Sequence, residues 1–379
     1  MDAGSEAKTR ADAGRRIALF CTNFLPTSQV FVYEQLRQYT RAQVDVFAWR
    51  RFNPSRFPFP RVHLAELAYV IRGRSRRFER AFDSGRYDVV HAHFGPAGAY
   101  AAPFARDWQL PLIVTFHGYD VPLLSSLRRF LPLHLPYAAG SRAMLRQMRL
   151  GLCASLELKQ MLMDLGVDEK RLRVHRLGVD LGRFRFDVSH TKGSVMMVGR
   201  LVEKKGFEYG LRAFAHALSL GATAQLTIVG EGERRAALER LAKKLGIQRQ
   251  VEFVGSRSNE QVAEMLSSAR VLLAPSVVAR DGNRESGLIV VKEAAAAGAV
   301  PIGTWHGGIP ESIEDSLTGF LVDERDWVGM GDRLARLLSD EVLRARMAHA
   351  ARAKMEREFD NRVQVAELED IYDEVCRAR

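Results

Sequence analysis

Apolar and polar positions fall into two alternating patterns along this chain. Short runs rich in Val, Ile, Leu and Phe read as buried strands: "RIALFCT" (16–22), "QVDVFAW" (43–49), "YDVVHAHF" (87–94), "PLIVTFH" (111–117) and "LGLCAS" (150–155). Helix-sized stretches separate them, the first opening at "FVYEQLRQY" (31–39). The pattern then restarts with "GSVMMVGR" (193–200), "AQLTIVGEG" (224–232), "QVEFVGS" (250–256), "ARVLLAPS" (269–276) and "AVPIGT" (299–304). Strand–helix alternation predicts an α/β chain of parallel sheets covered on both faces, here two doubly wound, Rossmann-like domains. The join falls near "LGVDLGRFRFDVSHTKG" (177–193), which is polar, glycine-bearing and aperiodic. The expected organisation is a disordered leader at 1–14, a first domain at 15–182, a second at 183–355, and a charged terminal helix at 356–379 packing back on the first domain. Doubly wound sheets bind ligands beyond the carboxyl ends of their strands, so the expected site is a cleft between the two domains.

Composition agrees with that division. A chain of 379 residues exceeds one ordinary core, and 47% hydrophobic residues exclude wholesale disorder. No window holds eighteen uncharged apolar residues, so no spanning helix is expected. The polar start "MDAGSEAKTRADAG" lacks the apolar core of a secretory signal. Cys21, Cys153 and Cys376 are odd in number and widely spaced, which fits a reducing cytoplasm and neither a disulfide framework nor a zinc site. Residues 1–180 hold 27 basic and 16 acidic side chains, which is the entire net charge of +11; the remainder holds 29 of each sign. The excess is nearly all arginine, with peaks at "RGRSRRFER" (72–80) and at Arg128, Arg129, Arg142, Arg146 and Arg149. Two readings stand level, an arginine-rich surface without a partner and a face for anionic membrane. No nucleic-acid motif accompanies the charge.

Five motifs carry candidate chemistry. In "VGRLVEKKGF", Arg200 and Lys205 follow a strand, and a cationic loop there suits a diphosphate. In "DGNRESGLIVVKEAAAAG", Glu285 and Glu293 bracket the start of a predicted helix over 288–297, closed by Gly298. An open helix start favours an anion, and carboxylates accept hydrogen bonds from sugar hydroxyls, so together they suit a nucleotide sugar, with Glu293 on the ribose and Glu285 on the hexose. In "TFHGYD", His117 ends a strand and faces the cleft, with Asp120 close behind; His91 and His93 end the neighbouring strand and are expected on opposite sides of it. A metal site among these histidines lacks cysteine or carboxylate partners at ligand spacing, and no metal is expected. "IVGEGERR" echoes a dinucleotide fingerprint but lacks its third glycine, so Gly230 and Gly232 read as a turn near a nucleotide base. "TWHGGIPESI" places Gly307 and Gly308 in a ligand-facing turn.

In this order, "DVVHAHFG", "TFHGYD", "LGVDLGRF", "VGRL…KKG", "VGEGE", "RESGLIVVKEAAAAGAVPIGT" and "HGGIPE" resemble the retaining glycosyltransferases of the GT-B fold, family 4, across roughly residues 15–355. The resemblance implies that Arg200 and Lys205 stabilise a diphosphate leaving group without a metal. It implies a donor site completed by Gly230, Gly232, Arg257, Ser286, Gly287, Leu288, Ile289 and Glu293, with Glu285 and the backbone of Gly287 and Leu288 on the sugar. His117 would lie by the anomeric carbon. Pro26, Thr27, Ser28, His93 and Asp120 would face the acceptor. Two departures stand out: the family's E-x-F-G reads E-S-G-L here, and "TNFLPTSQVF" lacks the usual paired glycines. The first leaves the sugar preference open, the second the first domain's backbone contacts to ligand.

The resulting expectation is a metal-independent retaining transferase. It moves a hexose or N-acetylhexosamine from a nucleotide-diphosphate sugar, UDP favoured over GDP, to a glycan, lipid-linked or small-molecule acceptor. No cofactor and no nucleic-acid partner are expected, and the seat is the cytoplasm or the inner face of a membrane. For the latter, "VPLLSSLRRFLPLHLPY" (121–137) mixes leucines with paired arginines as an interfacial segment does; a flap packed on protein is the competing reading. The alternatives are another nucleotide-sugar-processing enzyme on this fold, a non-catalytic sugar-nucleotide module, and a nicotinamide oxidoreductase.

Overall fold

A computed structural model describes residues 14–26, 29–66, 69, 73–188 and 194–377. The chain divides into two compact units, residues 1–176 with 361–379, and residues 177–360. The exchanges thus fall at 176/177 and 360/361, against the 182/183 and 355/356 expected. The expected leader, 1–14, lies outside the described residues except for Gly14.

In the first unit, strands β1 (Arg16–Phe24), β2 (Gln43–Arg51), β3 (Val62–Leu64), β4 (Val89–His93), β5 (Leu112–Phe116), β6 (Leu150–Cys153) and β7 (Leu172–Val174) form one sheet. Its order is β3-β2-β1-β4-β5-β6-β7, with every pairing parallel. Helices α1 (Val30–Gln38), α2 (Arg76–Gly85), α3 (Gly95–Asp107), α4 (Asp120–Ser125), α5 (Leu135–Gln147) and α6 (Leu156–Asp164) make the crossovers. The central strands are apolar on both faces because both are covered. One face packs an aromatic cluster, with Phe47 stacked on Phe20 at 5.1 Å and edge-on to Phe78 at 5.0 Å. The other carries Ile17 and Leu19 against α1 and the chain's last helix, Asn361–Arg377.

That last helix is tied down by charge as well as apolar contact. The Glu369 carboxylate, buried, accepts the backbone N–H groups of Thr40, Arg41 and Ala42 at 3.0, 2.6 and 2.7 Å and the Thr40 hydroxyl at 3.0 Å. The Tyr372 hydroxyl meets that of Tyr39 at 2.9 Å and His91 Nδ1 at 2.7 Å.

In the second unit, β8 (Ser194–Val198), β9 (Gln225–Val229), β10 (Val251–Gly255), β11 (Val271–Ala274), β12 (Val300–Thr304) and β13 (Phe320–Val322) order as β10-β9-β8-β11-β12-β13, again all parallel. Helices α7 (Phe207–Ser219), α8 (Arg235–Lys244), α9 (Asn259–Ser267), α10 (Ile289–Ala297), α11 (Ile309–Ser312), α12 (Trp327–Ser339) and α13 (Glu341–Glu358) surround it. The alanine run 294–297 of α10 is wholly buried, so small side chains let this helix lie close to the sheet.

Strand order reverses in each sheet beside its first strand, between β1 and β4 and between β8 and β11. Loops leaving the two strands at such a point diverge to opposite faces and leave a crevice, which is where open α/β sheets bind ligands.

Candidate functional site

The two loops flanking the second sheet's switch point bring Lys205 and Glu285 together, with Arg200 close enough to act on Lys205. After β8, the chain runs through Arg200 into a single 3₁₀ turn, Glu203–Lys205, which ends at Gly206 in the left-handed region with φ of 62°. A Cβ there would lie 1.8 Å from the Pro275 carbonyl oxygen, so only glycine lets this loop close on the β11 loop. The turn aims both lysines at one carboxylate. Lys204 Nζ lies 2.9 Å from Glu285 Oε1, and Lys205 Nζ lies 3.3 Å from Oε2. Lys204 Nζ also donates to the Arg284 carbonyl at 3.2 Å.

Electrostatics follow from that enclosure. Burial pushes the Glu285 carboxyl up, but Lys205 and Lys204 outweigh it and hold the group at about 2. Burial draws Lys205 below the ordinary lysine range; Glu285 resists, and the charges of Lys204 and Arg200 add to the fall. Arg200 is itself exposed. Arg200, Lys204 and Lys205 against Glu203 and Glu285 leave a net positive charge here. Beside it α10 begins at Leu288 with no side-chain cap, so its first-turn N–H groups point the same positive dipole end outward. Glu293 lies in the second turn of that helix, half-buried.

The Glu285 loop is held from beneath. The Glu285 backbone N–H donates to His306 Nε2 at 3.0 Å, and His306 Nδ1 donates to Glu324 Oε1 at 2.6 Å. Glu324 Oε2 accepts the Val278 N–H at 2.9 Å, and Arg325 Nη2 donates to the Val278 carbonyl at 3.0 Å. Between these anchors the chain closes on itself, with Ala279 N–H on the Asn283 carbonyl at 2.9 Å.

Several sequence readings change. Lys204 joins Lys205, where only Lys205 was expected. At Gly230 (φ 138°) a Cβ would lie 1.9 Å from the Gly199 carbonyl oxygen; the close approach that demands glycine is to the neighbouring loop, and Gly232 likewise abuts Leu201. Arg257 is exposed and its guanidinium donates to the adjacent Ser256 carbonyl at 3.1 Å. Ser286 and Leu288 are buried and Gly287 and Ile289 half-buried at the start of α10. Gly307 has φ of 56° and Gly308 caps the short α11, so that turn's role is to deliver His306 under Glu285. His306 and Glu324 were missed: a histidine beside a glycine turn was the only signal, and nothing marked its partner 18 residues on.

In the first unit, His117 follows β5 and its Nε2 meets His93 Nδ1 at 2.8 Å, with the rings stacked at 5.1 Å. Phe94 and Phe31 flank it at 4.5 and 4.9 Å. His91 and His93 lie on one face of β4, their rings 4.9 Å apart. The expectation of opposite faces fails because strand side chains alternate, so residues two apart share a side. His91 Nε2 meets the Thr115 hydroxyl at 2.7 Å. Burial lowers all three imidazoles, His93 to about 3, and their mutual repulsion lowers His91 and His117 further, so the cluster is neutral at ordinary pH. Among the described residues, no group of three His, Cys, Asp or Glu is arranged to hold a metal ion.

Asp120 does not face outward. It is fully buried, and its oxygens accept the N–H groups of Gly118 and Gly95, each at 2.9 Å, and of His117 at 3.4 Å. It fixes the His117 loop; burial pushes its carboxyl up while those N–H groups pull it back. His93 is likewise buried, behind His117. The Pro26 carbonyl accepts from Gln29 N–H at 2.8 Å, and Thr27 and Ser28 lie outside the described residues. Cys21, Cys153 and Cys376 form no disulfide with one another.

Comparison with known proteins bears on both units. The family model of glycosyltransferase family 4 matches residues 28–183, and that of glycosyl transferases group 1 matches residues 181–354. WcaL of Escherichia coli (strain K12), a glycosyltransferase assigned to colanic acid biosynthesis, is 32% identical over 75% of this chain and 70% of its own length. AmsK, the amylovoran biosynthesis glycosyltransferase of Erwinia amylovora, is 29% identical over 76% of this chain and 70% of its own. Among solved structures, HepE of Anabaena in complex with UDP gives a TM-score of 0.77 at 16% identity, covering 95% of this chain and all of that one. WaaG, a glycosyltransferase involved in lipopolysaccharide biosynthesis, gives 0.70 at 18%, covering 94% and 99%. The likeness to these structures is one of fold, and the fold is the GT-B type expected from the sequence.

Proposed function

Because this chain belongs to the group 1 glycosyl transferases, we propose that it moves a hexosyl or N-acetylhexosaminyl group from a nucleotide-diphosphate sugar to a surface-polysaccharide acceptor or its lipid-linked precursor, retaining the anomeric configuration. The observation that carries the donor assignment is the meeting of Lys204, Lys205 and Glu285 at the second sheet's switch point, beside the open start of α10. Cations and helix dipole suit the diphosphate; the acids suit hydroxyls. UDP is the favoured nucleotide, since HepE is described in complex with UDP and with UDP-glucose. Colanic acid and amylovoran, the products named for two relatives, support a polysaccharide acceptor.

In the proposed reaction the bond from the anomeric carbon to the diphosphate oxygen breaks. The acceptor oxygen bonds to that carbon from the same face, and its proton passes to the departing phosphate. Arg200, Lys204 and Lys205 stabilise the charge that develops on the leaving group, the task a metal ion performs elsewhere. Glu285 holds sugar hydroxyls and Glu293 the ribose. The test is a panel of UDP-, GDP-, ADP- and dTDP-sugars, read by nucleotide diphosphate release and thermal shift. Release that persists in EDTA and needs no NAD(H) is expected; shift without release from any donor would mark a binding module.

The first unit adds a membrane reading. Residues 127–135 are not packed as a flap: Leu127 and Leu133 are 86% and 82% exposed and Phe130 59%, beside Arg128 and Arg129. Val121, Leu123, Leu124 and Tyr137 at the ends of the segment are buried and anchor it. Exposed leucines with adjoining cations suit an anionic lipid surface, which would bring a lipid-linked acceptor within reach. No described helix is long and apolar enough to cross a membrane.

A further inference from the structure

We propose that His306 and Glu324 are positioning residues that set the placement of Glu285 and thereby govern how the sugar half of the donor is held, independently of the nucleotide half. The inference rests on the donor assignment above. One donor in this chain of bonds has a fixed identity: a backbone N–H can only give its proton. The Glu285 N–H therefore makes His306 Nε2 the bare nitrogen, and Nδ1 must carry the hydrogen that it donates to Glu324. The His306 side chain has no solvent exposure, so no bulk water can substitute for either partner. One tautomer is thus written into the fold by the loop it supports.

The pair grips both ends of the loop. Glu324 takes the Val278 N–H with its second oxygen, while His306 takes the Glu285 N–H seven residues later. Bonds to His306 and Val278, and the nearby Arg325, outweigh burial and keep the Glu324 carboxyl below its ordinary range, so it stays an acceptor for both. Nothing regular spans the interval; the loop's shape depends on those anchors, on Arg325 at the Val278 carbonyl, on Lys204, which meets the Val277 N–H and the Arg284 carbonyl, and on its internal turn. A shift of the Glu285 backbone would move its carboxylate off Lys204 and Lys205 and off any sugar hydroxyl. The lysines that serve the diphosphate pair with Glu285 but stand on another loop, whose turn is closed by its own bonds from Lys205 N–H to the Val202 carbonyl and from Gly206 N–H to the Glu203 carbonyl, so its backbone keeps its place without His306.

Two conservative variants separate the two bonds. His306→Gln can leave an amide oxygen near the Nε2 position and keep the Glu285 contact; His306→Asn reaches only the Nδ1 position and keeps Glu324. Measured on the full chain with the best donor of the panel, His306→Asn is expected to lower kcat/KM for the sugar nucleotide by about tenfold or more, the cost of one buried backbone donor left unmade. Its affinity for UDP alone should stay within about twofold, and amide hydrogen exchange at Glu285 should speed up by at least about tenfold. His306→Gln should recover most of both losses, and Glu324→Gln should fall between the two, serving also as the readout if His306→Asn does not fold. Unchanged kinetics and exchange in His306→Asn and Glu324→Gln would overturn the proposal, as would a loss of UDP affinity in proportion to kcat/KM. Wild-type protein that binds no nucleoside diphosphate would instead overturn the donor assignment itself, and this proposal with it.

Discussion

Glu285 makes two kinds of contact at one residue: its carboxylate pairs with two lysines and its backbone N–H meets His306, while the proposed reaction asks the same oxygens to hold sugar hydroxyls. Its acid and its approximate place before a helix were legible in the motif. Its partners were less so. Lys205 alone was expected; Lys204 joins it because the two long side chains reach different oxygens of Glu285, which spacing along the chain does not show. His306 stayed hidden because its meaning depends on contacts far along the chain, and sequence spacing shows only near ones. Depression of the Glu285 carboxyl to about 2, against an ordinary 4.5, has a stability consequence. A carboxyl lowered by folding stabilises the native state above its unfolded value, and that contribution is lost as pH falls from about 4.5 towards 2. Urea unfolding of wild type and Glu285→Gln across that window should show a shallower acid loss in the variant. Identical slopes would mean that the lysines do not hold Glu285 ionised in the folded chain.

At the scale of elements, the long buried strands were legible because four or more consecutive apolar residues bounded by turns announce them. The three-residue β3, β7 and β13 were not, since so short a run has no period to detect. The α10 helix was read almost to the residue, closing at Gly298 with φ of 100°. The last helix was legible as a charged helix, but its attachment was carried by one buried acid whose partners lie about 330 residues earlier. Removing that acid takes a buried carboxylate from the helix and leaves three backbone N–H groups of the 40–42 turn without the partner they have in the fold. Glu369→Ala is therefore expected to destabilise the first unit by about 3 kcal/mol, with Glu369→Gln milder because it can keep part of the set. Denaturant unfolding followed through first-unit tryptophans, Trp49 and Trp108, would check it; a loss below about 1 kcal/mol would show that apolar contacts alone seat the helix.

On the scale of the whole molecule, the uneven charge was visible as a count, but not whether it had a purpose. Exposure of residues 127–135 gives part of that arginine excess an apolar companion. Sedimentation with vesicles containing anionic lipid should be clear at low salt and largely abolished at on the order of 0.5 M salt, where the screening length is a few ångströms. Leu127→Ser with Leu133→Ser should weaken it by about tenfold or more, since each leucine buries roughly 1.5–3 kcal/mol of apolar surface. Binding that ignores both salt and the leucines would leave the basic half as solvated surface.

The claim on which the rest depends is that the cationic loop after β8 stabilises a leaving diphosphate. Turnover of Lys205→Ala with the best donor tests it most directly, provided thermal unfolding shows the variant folded. A fall in kcat of about a hundredfold or more is predicted, the usual cost of removing one charge-stabilising donor from a transition state. A folded Lys205→Ala that turns over within about threefold of wild type would contradict it.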